Sequence, residues 1–374
     1  MKWTVLLGWL LLSALFSGQA PLKDTPEKGE WNFSPEKVWG ANAAGNDEFG
    51  RIAELLVSQD GHVCVRDFAK NASYLFDWNG RFIRKFALQG EQDGQLPFYL
   101  NRFRAGEQIV LGAPDKLHFF SQEGDFKRSV QNNLFVRFPL HFESDNEFVY
   151  APTFPRSPVH QMKLMAFNIG SGEEKTLVDL SETAKVESAP QGPPLMIVGL
   201  TPQMNLAADG NRIVFGRSDR YEIYIAERTG KILSSFRLDR KKLTAPLEDK
   251  RRLIGETRLP EDQKEKVVAQ LPDEMTYFSH LEVIDGLIYV FAVDSLEKMT
   301  GHQRIEIFSD TGTYLYSGTI GFGGGLQFGS PHNLVIAGGC AYVVLQDDQG
   351  RQTLAKYRIK QPPAATRQVR GPGI

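Results

Sequence analysis

The chain has 374 residues, with 43 Lys and Arg against 45 Asp and Glu for a net charge of -2, and it carries two cysteines. That balance leaves no basic excess to hold a nucleic-acid backbone, and two cysteines are too few for a disulfide framework. The 25 Phe and 11 Tyr suit sheets packed face to face, which points to an all-β domain.

Lys2, the apolar run from Trp3 to Phe16 and the small residues Ser17, Gly18 and Ala20 read as an export signal over residues 1–20. The run is short for a membrane span. Pro21 directly after Ala20 opposes cleavage, so an uncleaved anchor is the alternative. Residues 21–35 are polar and proline-containing and read as a linker. Glu36 to Trp39 reads as a lone outer strand, with Val38 and Trp39 supplying its apolar burial.

From Val38 to Leu96 one complete repeat is legible. Apolar runs at Ile52 to Val57, His62 to Val65, Ser73 to Asp77 and Arg81 to Phe86 are separated by Asp60-Gly61 and Trp78-Asn79-Gly80, as in an antiparallel meander. Four strands in a unit of about 45 residues make one propeller blade. Five further units follow, at Phe98 to Val130, Leu140 to Leu180, Met204 to Leu238, Phe278 to Ile320 and Leu334 to Ile359. The last has three strands of its own, so the strand before Gly40 is expected to complete it. The spacing therefore predicts a six-bladed β-propeller of four-stranded blades over 36–360, followed by a disordered tail over 361–374.

The turns inside each unit are short. Length variation falls at Ala151 to Gln161, Ala292 to His302, Ser181 to Gln203 and Asp239 to Tyr277, connections that all emerge on the same side of an up-and-down blade. That side is the expected working face. The longest insertion, about 240–275 between the fourth and fifth blades, reads as two short helices opened by Pro246 and Pro260.

The order Asp60, Gly61, Val63, Val65, Asp67, Phe76, Asp77, Gly80 and Phe86 resembles the NHL repeat of six-bladed propellers. The resemblance covers the first blade firmly and implies shape more than activity, because such propellers serve as enzymes, sensors and scaffolds.

The sequence holds no Gly-x-Ser-x-Gly elbow, His-Glu-x-x-His, phosphate loop or Cys-x-x-Cys. A weaker set gathers where the innermost strands begin: Glu54, Asn101, His280 and Asn333, with Gln203, Asn205, His332 and Arg102 beside them. Such a ring of carboxylate, amide and imidazole groups suits a polar ligand, or calcium held by Glu54, Asn205 and Asn333. Metal-dependent lactonase propellers are similar in using one Glu with Asn and Asp residues. Here no Asp matches, and Glu54 is offset by about one residue from the alternation. His141 reads as out of phase with the set, and Phe154 and His160 are candidates on an insertion. Asn32-Phe33-Ser34 and Asn71-Ala72-Ser73 are acceptor sequons. Cys64 and Cys340 read as unpaired, buried thiols. The resulting expectation is an exported, monomeric binding or scaffold module for a protein, peptide or glycan. The alternative is a metal-dependent hydrolase, lactonase or lyase acting at the channel mouth.

Overall fold

The computed structural model describes residues 21–39, 49–58, 61–96, 101–105, 108–113, 116–131, 140–142, 144, 146–152, 159–160, 162–183, 197–255, 257, 259–296, 302–321, 327–328 and 333–360. The expected signal peptide and tail lie outside these residues, as do Phe154 and His332.

Strand β1 (Glu30–Trp39) precedes a meander of β2 (Ile52–Val57), β3 (Val63–Asp67), β4 (Ala72–Phe76) and β5 (Phe82–Phe86). The second meander is β6 (Asn101–Ala105), β7 (Gln108–Gly112), β8 (Lys116–Phe120) and β9 (Phe126–Gln131). The third is β10 (Leu140–Phe142), β11 (Glu147–Tyr150), β13 (Lys163–Asn168) and β14 (Glu174–Asp179), with β12 (Val159–His160) and β15 (Glu182–Thr183) forming a ribbon of their own. The fourth is β16 (Met204–Asp209), β17 (Arg212–Arg217), β18 (Glu222–Glu227) and β19 (Ile232–Arg237). Helices α1 (Leu247–Gly255) and α2 (Glu261–Gln270) come next, and Pro260 caps the second as the sequence predicts. The fifth meander is β20 (Phe278–Ile284), β21 (Leu287–Ala292), β22 (His302–Ser309) and β23 (Tyr314–Gly321). In the last, β24 (Gln327–Phe328) and β25 (Leu334–Ala337) both pair with β26 (Cys340–Gln346), which pairs with β27 (Gln352–Lys360).

Burial follows position in each meander. Val63 to Asp67 is buried along its whole length, whereas the outer strand Phe126 to Gln131 alternates half-buried and exposed. A strand covered on both faces needs a continuous apolar run, and one half in water needs only every second residue. The apolar cores lie between consecutive sheets. Val63, Val65 and Tyr74 of the first meander pack with Tyr342, Val344 and Leu354 of the last. Along the inner strands, β2 lies against β6, β6 against β10, β10 against β16, β16 against β20, β20 against β25 and β25 against β2. Asp67, the last residue of the Val-x-Val-x-Asp motif, ties the entry of the first meander: it accepts hydrogen bonds from the backbone N–H of Gly50 at 2.6 Å, Arg51 at 3.0 Å and Lys70 at 3.1 Å.

The N-terminal strand does more than complete one sheet. It pairs antiparallel with β27 from Asn32↔Lys360 to Trp39↔Leu354, and parallel with β23 from Glu30↔Ser317 to Asn32↔Thr319. It begins at Glu30, inside the stretch read as linker, and the chain before it is also seated. The Leu22 N–H donates to the Arg237 carbonyl at 2.8 Å and the Glu27 N–H to the Tyr314 carbonyl at 3.1 Å. Residues 22–39 therefore run as a strap along the outer edges of the fourth, fifth and last meanders. Its apolar anchors are Trp31, 3% exposed among Tyr289 and Tyr316, and Trp39, 5% exposed. Val38, expected inside, is 52% exposed. Trp39 also explains Gly80: φ there is +77°, and a Cβ would lie 2.7 Å from the indole.

Glu36 fastens the strap to β27 through Arg358 at 3.0 Å and Lys356 at 3.5 Å. Its hydrogen bond from Arg358, with both nearby positive charges, holds the carboxyl below its ordinary pKa against a smaller opposing effect of burial. A lowered carboxylate pKa contributes stability that is present above the ordinary Glu range and lost as pH falls through the lowered value. The stability gap between wild type and Glu36→Gln should therefore be complete above the ordinary Glu value, about 4.3, and close as pH falls below it, and it should be small because the group is partly exposed. A constant gap down to pH 3 would rule out this contribution.

Candidate functional site

Connections from the second to the third strand of each meander, and from one meander to the next, leave on one side of the sheets. The insertions on that side are packed together. His160 of β12 pairs with Glu182 of β15, which joins an insertion of the third meander to the connection that follows it. Leu200, Ala245, Met275 and Leu296 form a separate apolar cluster, with Ile197, Leu253, Leu271 and Val293 against it. Three segments far apart in sequence thus share one small core. Backbone bonds fix it to the sheets: Thr276 N–H to the Gly199 carbonyl at 2.8 Å, Tyr277 N–H to Ser218 at 2.7 Å and Val293 N–H to Tyr277 at 3.0 Å. Lys250, buried in α1, bonds the Leu271 carbonyl at 3.3 Å and Asp273 at 2.8 Å, and so clips the helix to the end of the insertion.

Strand register places the sequence-derived candidates. The closing pairs of the inner hairpins are Ala105↔Gln108, Asp209↔Arg212, Ile284↔Leu287 and Ala337↔Cys340, and Ser58 bonds the His62 carbonyl in the first. Counting four residues back from each gives Asn101, Asn205, His280, Asn333 and Glu54. The third meander's counterpart precedes Leu140 and lies outside the described residues. The five positions are equivalent by register. Irregularities between Ile52 and Glu54 and between Phe278 and His280 account for the one-residue offset of Glu54, because a bulge inserts a residue and shifts the alternation. His141, partner of Val149, stands one pair before Phe142↔Phe148 and is not at the equivalent level.

The described side chains can be taken in turn. Asn205 is 6% exposed, and its Nδ2 donates to the Gln203 carbonyl at a long 3.5 Å. Gln203 lies just before β16, where its backbone exchanges bonds with Ser218 at 2.9 Å. His280 rests on the Phe291 ring, 5.2 Å between centroids, with Nε2 3.5 Å from Glu282. The other Glu282 oxygen accepts from the Ile336 N–H at 3.0 Å, so this carboxylate bridges two inner strands. Asn333 is 3% exposed and its Oδ1 has no hydrogen-bond partner. Arg102 pairs in register with Leu111.

Two residues escaped the sequence reading. Glu282 is two residues beyond His280 and therefore on the same face, a signal that alternation offered. Arg66, in the Val-Arg-Asp end of β3, is fully buried and pairs with Glu54 in register. The sequon at Asn71 is occupied by structure: its carboxamide donates to the Leu96 carbonyl at 3.2 Å and accepts from Arg66. Among the described residues no three His, Cys, Asp or Glu side chains gather in a group able to hold a metal ion, and Cys64 and Cys340 are buried and form no disulfide.

No protein-family model matches the chain, and no curated protein sequence matches it. Solved structures do. A member of the DUF4221 family from Bacteroides vulgatus is similar over 90% of this chain and 100% of its own, with 12% identity and a TM-score of 0.60. The fold is of β-propeller type. A Bacteroides fragilis protein predicted to be exported is similar over 91% of this chain and 98% of its own, with 12% identity and a TM-score of 0.51. A virginiamycin B lyase from Staphylococcus aureus matches over 89% and 90%, with 10% identity and a TM-score of 0.38. At these identities the likeness is one of fold, not of activity. Among the described residues no helix is long and apolar enough to cross a membrane.

Proposed function

We propose that the chain is an exported, NHL-like, six-bladed propeller, closed by its N-terminal strand, that binds a protein, peptide or glycan through its insertion-bearing face. The observation that carries this reading is the shared core of Leu200, Ala245, Met275 and Leu296, which makes one fixed surface from three separate insertions. Ring closure is supported by the contact of β25 with β2 and by the bond from the Ile52 N–H to Gln352 across the same seam. Export is supported by the leader sequence.

Exposed apolar side chains favour the same face. Phe68, Leu88, Val198, Leu243 and Leu247 lie on it, five of the nine large apolar residues exposed among those described. Replacing residues 246–272 by a short Gly-Ser linker should leave the melting temperature of the sheets within a few degrees and remove partner binding in affinity capture from the native extracellular or envelope fraction. Undiminished capture would reject the face. The variant must keep Arg240, whose guanidinium is 2.8 Å from the buried Glu306.

A second reading, catalysis at the channel mouth, draws on His280. An imidazole oriented by a carboxylate has the arrangement of a general base. For the metal-dependent form of this reading, elemental analysis of protein purified without chelators discriminates: stoichiometric metal that disappears in Glu54→Ala would favour the enzyme.

A further inference from the structure

We infer that the first residues of the strap, Leu22 to Asp24, are a releasable latch on the neck of the helical insertion. The insertion leaves the fourth meander after Leu238 and returns at Tyr277, and its two ends close on each other: the Tyr277 hydroxyl donates to the Arg240 carbonyl at 2.8 Å. Tyr221, just before β18, touches both ends, with its ring 5.8 Å from that of Tyr277 and the Arg240 guanidinium 5.4 Å from its centroid. The latch lies across this neck. Leu22 bridges Leu238, donates its N–H to the Arg237 carbonyl at 2.8 Å, and packs against the apolar cluster that holds Tyr221 and Leu238, where Tyr277 also packs. Asp24 accepts from Arg240 Nε at 2.7 Å. One apolar and one charged contact from the strap thus reach both ends of the insertion.

The strap is unevenly held, which makes this end of it releasable. Trp31 and Trp39 are almost fully buried and Asn32 to Trp39 pairs along β27, whereas Lys23, Asp24 and Thr25 are exposed and Leu22 is only half-buried. An exposed ion pair contributes little by itself, and local openings of low cost begin at such ends. Lifting residues 22–24 therefore leaves β1 in place. It exposes the edge of the cluster around Tyr221 and Tyr277 and leaves Arg240 with Glu306, a carboxylate that Arg304 also approaches at 3.0 Å. The insertion supplies Ala245 and Met275 to the core it shares with Leu200 and Leu296, so a loosened neck loosens that core as well. The expected leader ends just before Leu22, so force or bulk at that end acts on the latch before it reaches Trp31.

The latch is a property of the chain alone and is tested without a partner, by hydrogen exchange of the full chain read by mass spectrometry. In Leu22→Asp/Asp24→Ala, peptides over 239–246 and 272–277 should exchange about tenfold or more faster than in wild type, because their amides depend on bonds inside the insertion such as Ala245 N–H to Asp273 at 2.8 Å and Met275 N–H to Leu243 at 2.8 Å. Peptides over the buried strands β3 and β22 should exchange as in wild type. Glu36→Gln, which loosens the strap at its other end, should leave the neck unchanged. Asp24→Ala alone should give a smaller acceleration in the same peptides, and it serves where the double variant does not fold. Unchanged exchange at the neck in a folded latch variant, acceleration spread equally over β3 and β22, or the same acceleration in Glu36→Gln would overturn the proposal.

Discussion

A chain beginning at residue 40 should fail to form a stable monomer, while one ending at Lys360 should melt close to the full chain. The difference follows from what each truncation removes. The first takes away Trp31 and Trp39, both almost fully buried; loss of a buried Trp side chain alone costs about 3 to 5 kcal/mol. It also strips the pairing partner from the edges of both β23 and β27. Two long unpaired edges side by side template association with a second chain. The second truncation removes none of the described strands. Light scattering and thermal melting of the two variants measure the contrast. Trp39→Ala is the milder form, expected to lower stability by about 3 to 5 kcal/mol. Equal melting temperatures and a monomeric first variant would show that the strap is not part of the cooperative fold.

Glu306→Gln should destabilise the protein by about 3 to 5 kcal/mol, because it takes the buried carboxylate from Arg304 and leaves Arg240 with only the partly exposed Asp24 as counter-charge. Glu306 on β22 is 0% exposed. Arg240 approaches one of its oxygens at 2.8 Å, Arg304 at 3.0 Å and the Tyr314 hydroxyl at 3.3 Å, and the Tyr221 hydroxyl donates to the other oxygen. Burial first, then the carboxylate, pushes the Tyr221 and Tyr314 pKa values up, so both phenols stay protonated as donors. Burial opposes the Arg240 charge, and its bonds to Asp24 and Glu306 more than offset that effect. The cluster joins the fourth meander, the fifth and the strap, since Asp24 bonds Arg240 Nε at 2.7 Å. For a domain of this size the expected fall in melting temperature is about 5 to 10 °C. Asp24→Asn, at a side chain 45% exposed, should cost about 1 kcal/mol or less. A loss below 1 kcal/mol in Glu306→Gln would mean that water reaches the cluster.

Much of this fold was legible because each meander announces itself locally. Asp-Gly and Asn-Gly turns, runs of Val, Ile and Phe, and prolines before the helices are signals within a few residues of the elements they define. The strap was only half legible. Glu36 to Trp39 carries a strand pattern, but Leu22 to Ser34 is polar and half exposed, and its partners, from Arg237 to Lys360, lie more than 200 residues away in sequence, where no local pattern points. Val38, expected inside, is exposed and Trp31, within the stretch read as linker, is buried for the same reason: which face of an outer strand is covered depends on the neighbour, here β23 as well as β27.

The ring at the mouth was legible as composition and blurred as geometry. Counting alternation from the sequence misplaces Glu54, since the irregularity after Ile52 adds a residue that only the pairing with Asp67 and Arg66 exposes. Arg66 itself was hidden by a sound rule, that arginine is rarely fully buried without partners. Its guanidinium donates to the Ala87 carbonyl, the Ser73 hydroxyl and the Asn71 carboxamide, none of which sequence spacing connects to it. Glu282 was available from its spacing to His280, but its bond to the Ile336 backbone was not.

The account turns on which face works, and the two faces carry separable probes. Val198, Leu243 and Leu247 are 39%, 49% and 52% exposed on the insertion side, and Trp78 is 55% exposed on the opposite side. The direct measurement compares Val198→Asp/Leu243→Asp/Leu247→Asp with Trp78→Asp for capture of the native partner, identified by mass spectrometry and quantified against wild type at matched melting temperature. The triple variant should lose at least tenfold in capture, and Trp78→Asp should match wild type. The reverse pattern, with capture lost in Trp78→Asp and intact in the triple variant, would contradict the assignment of the working face.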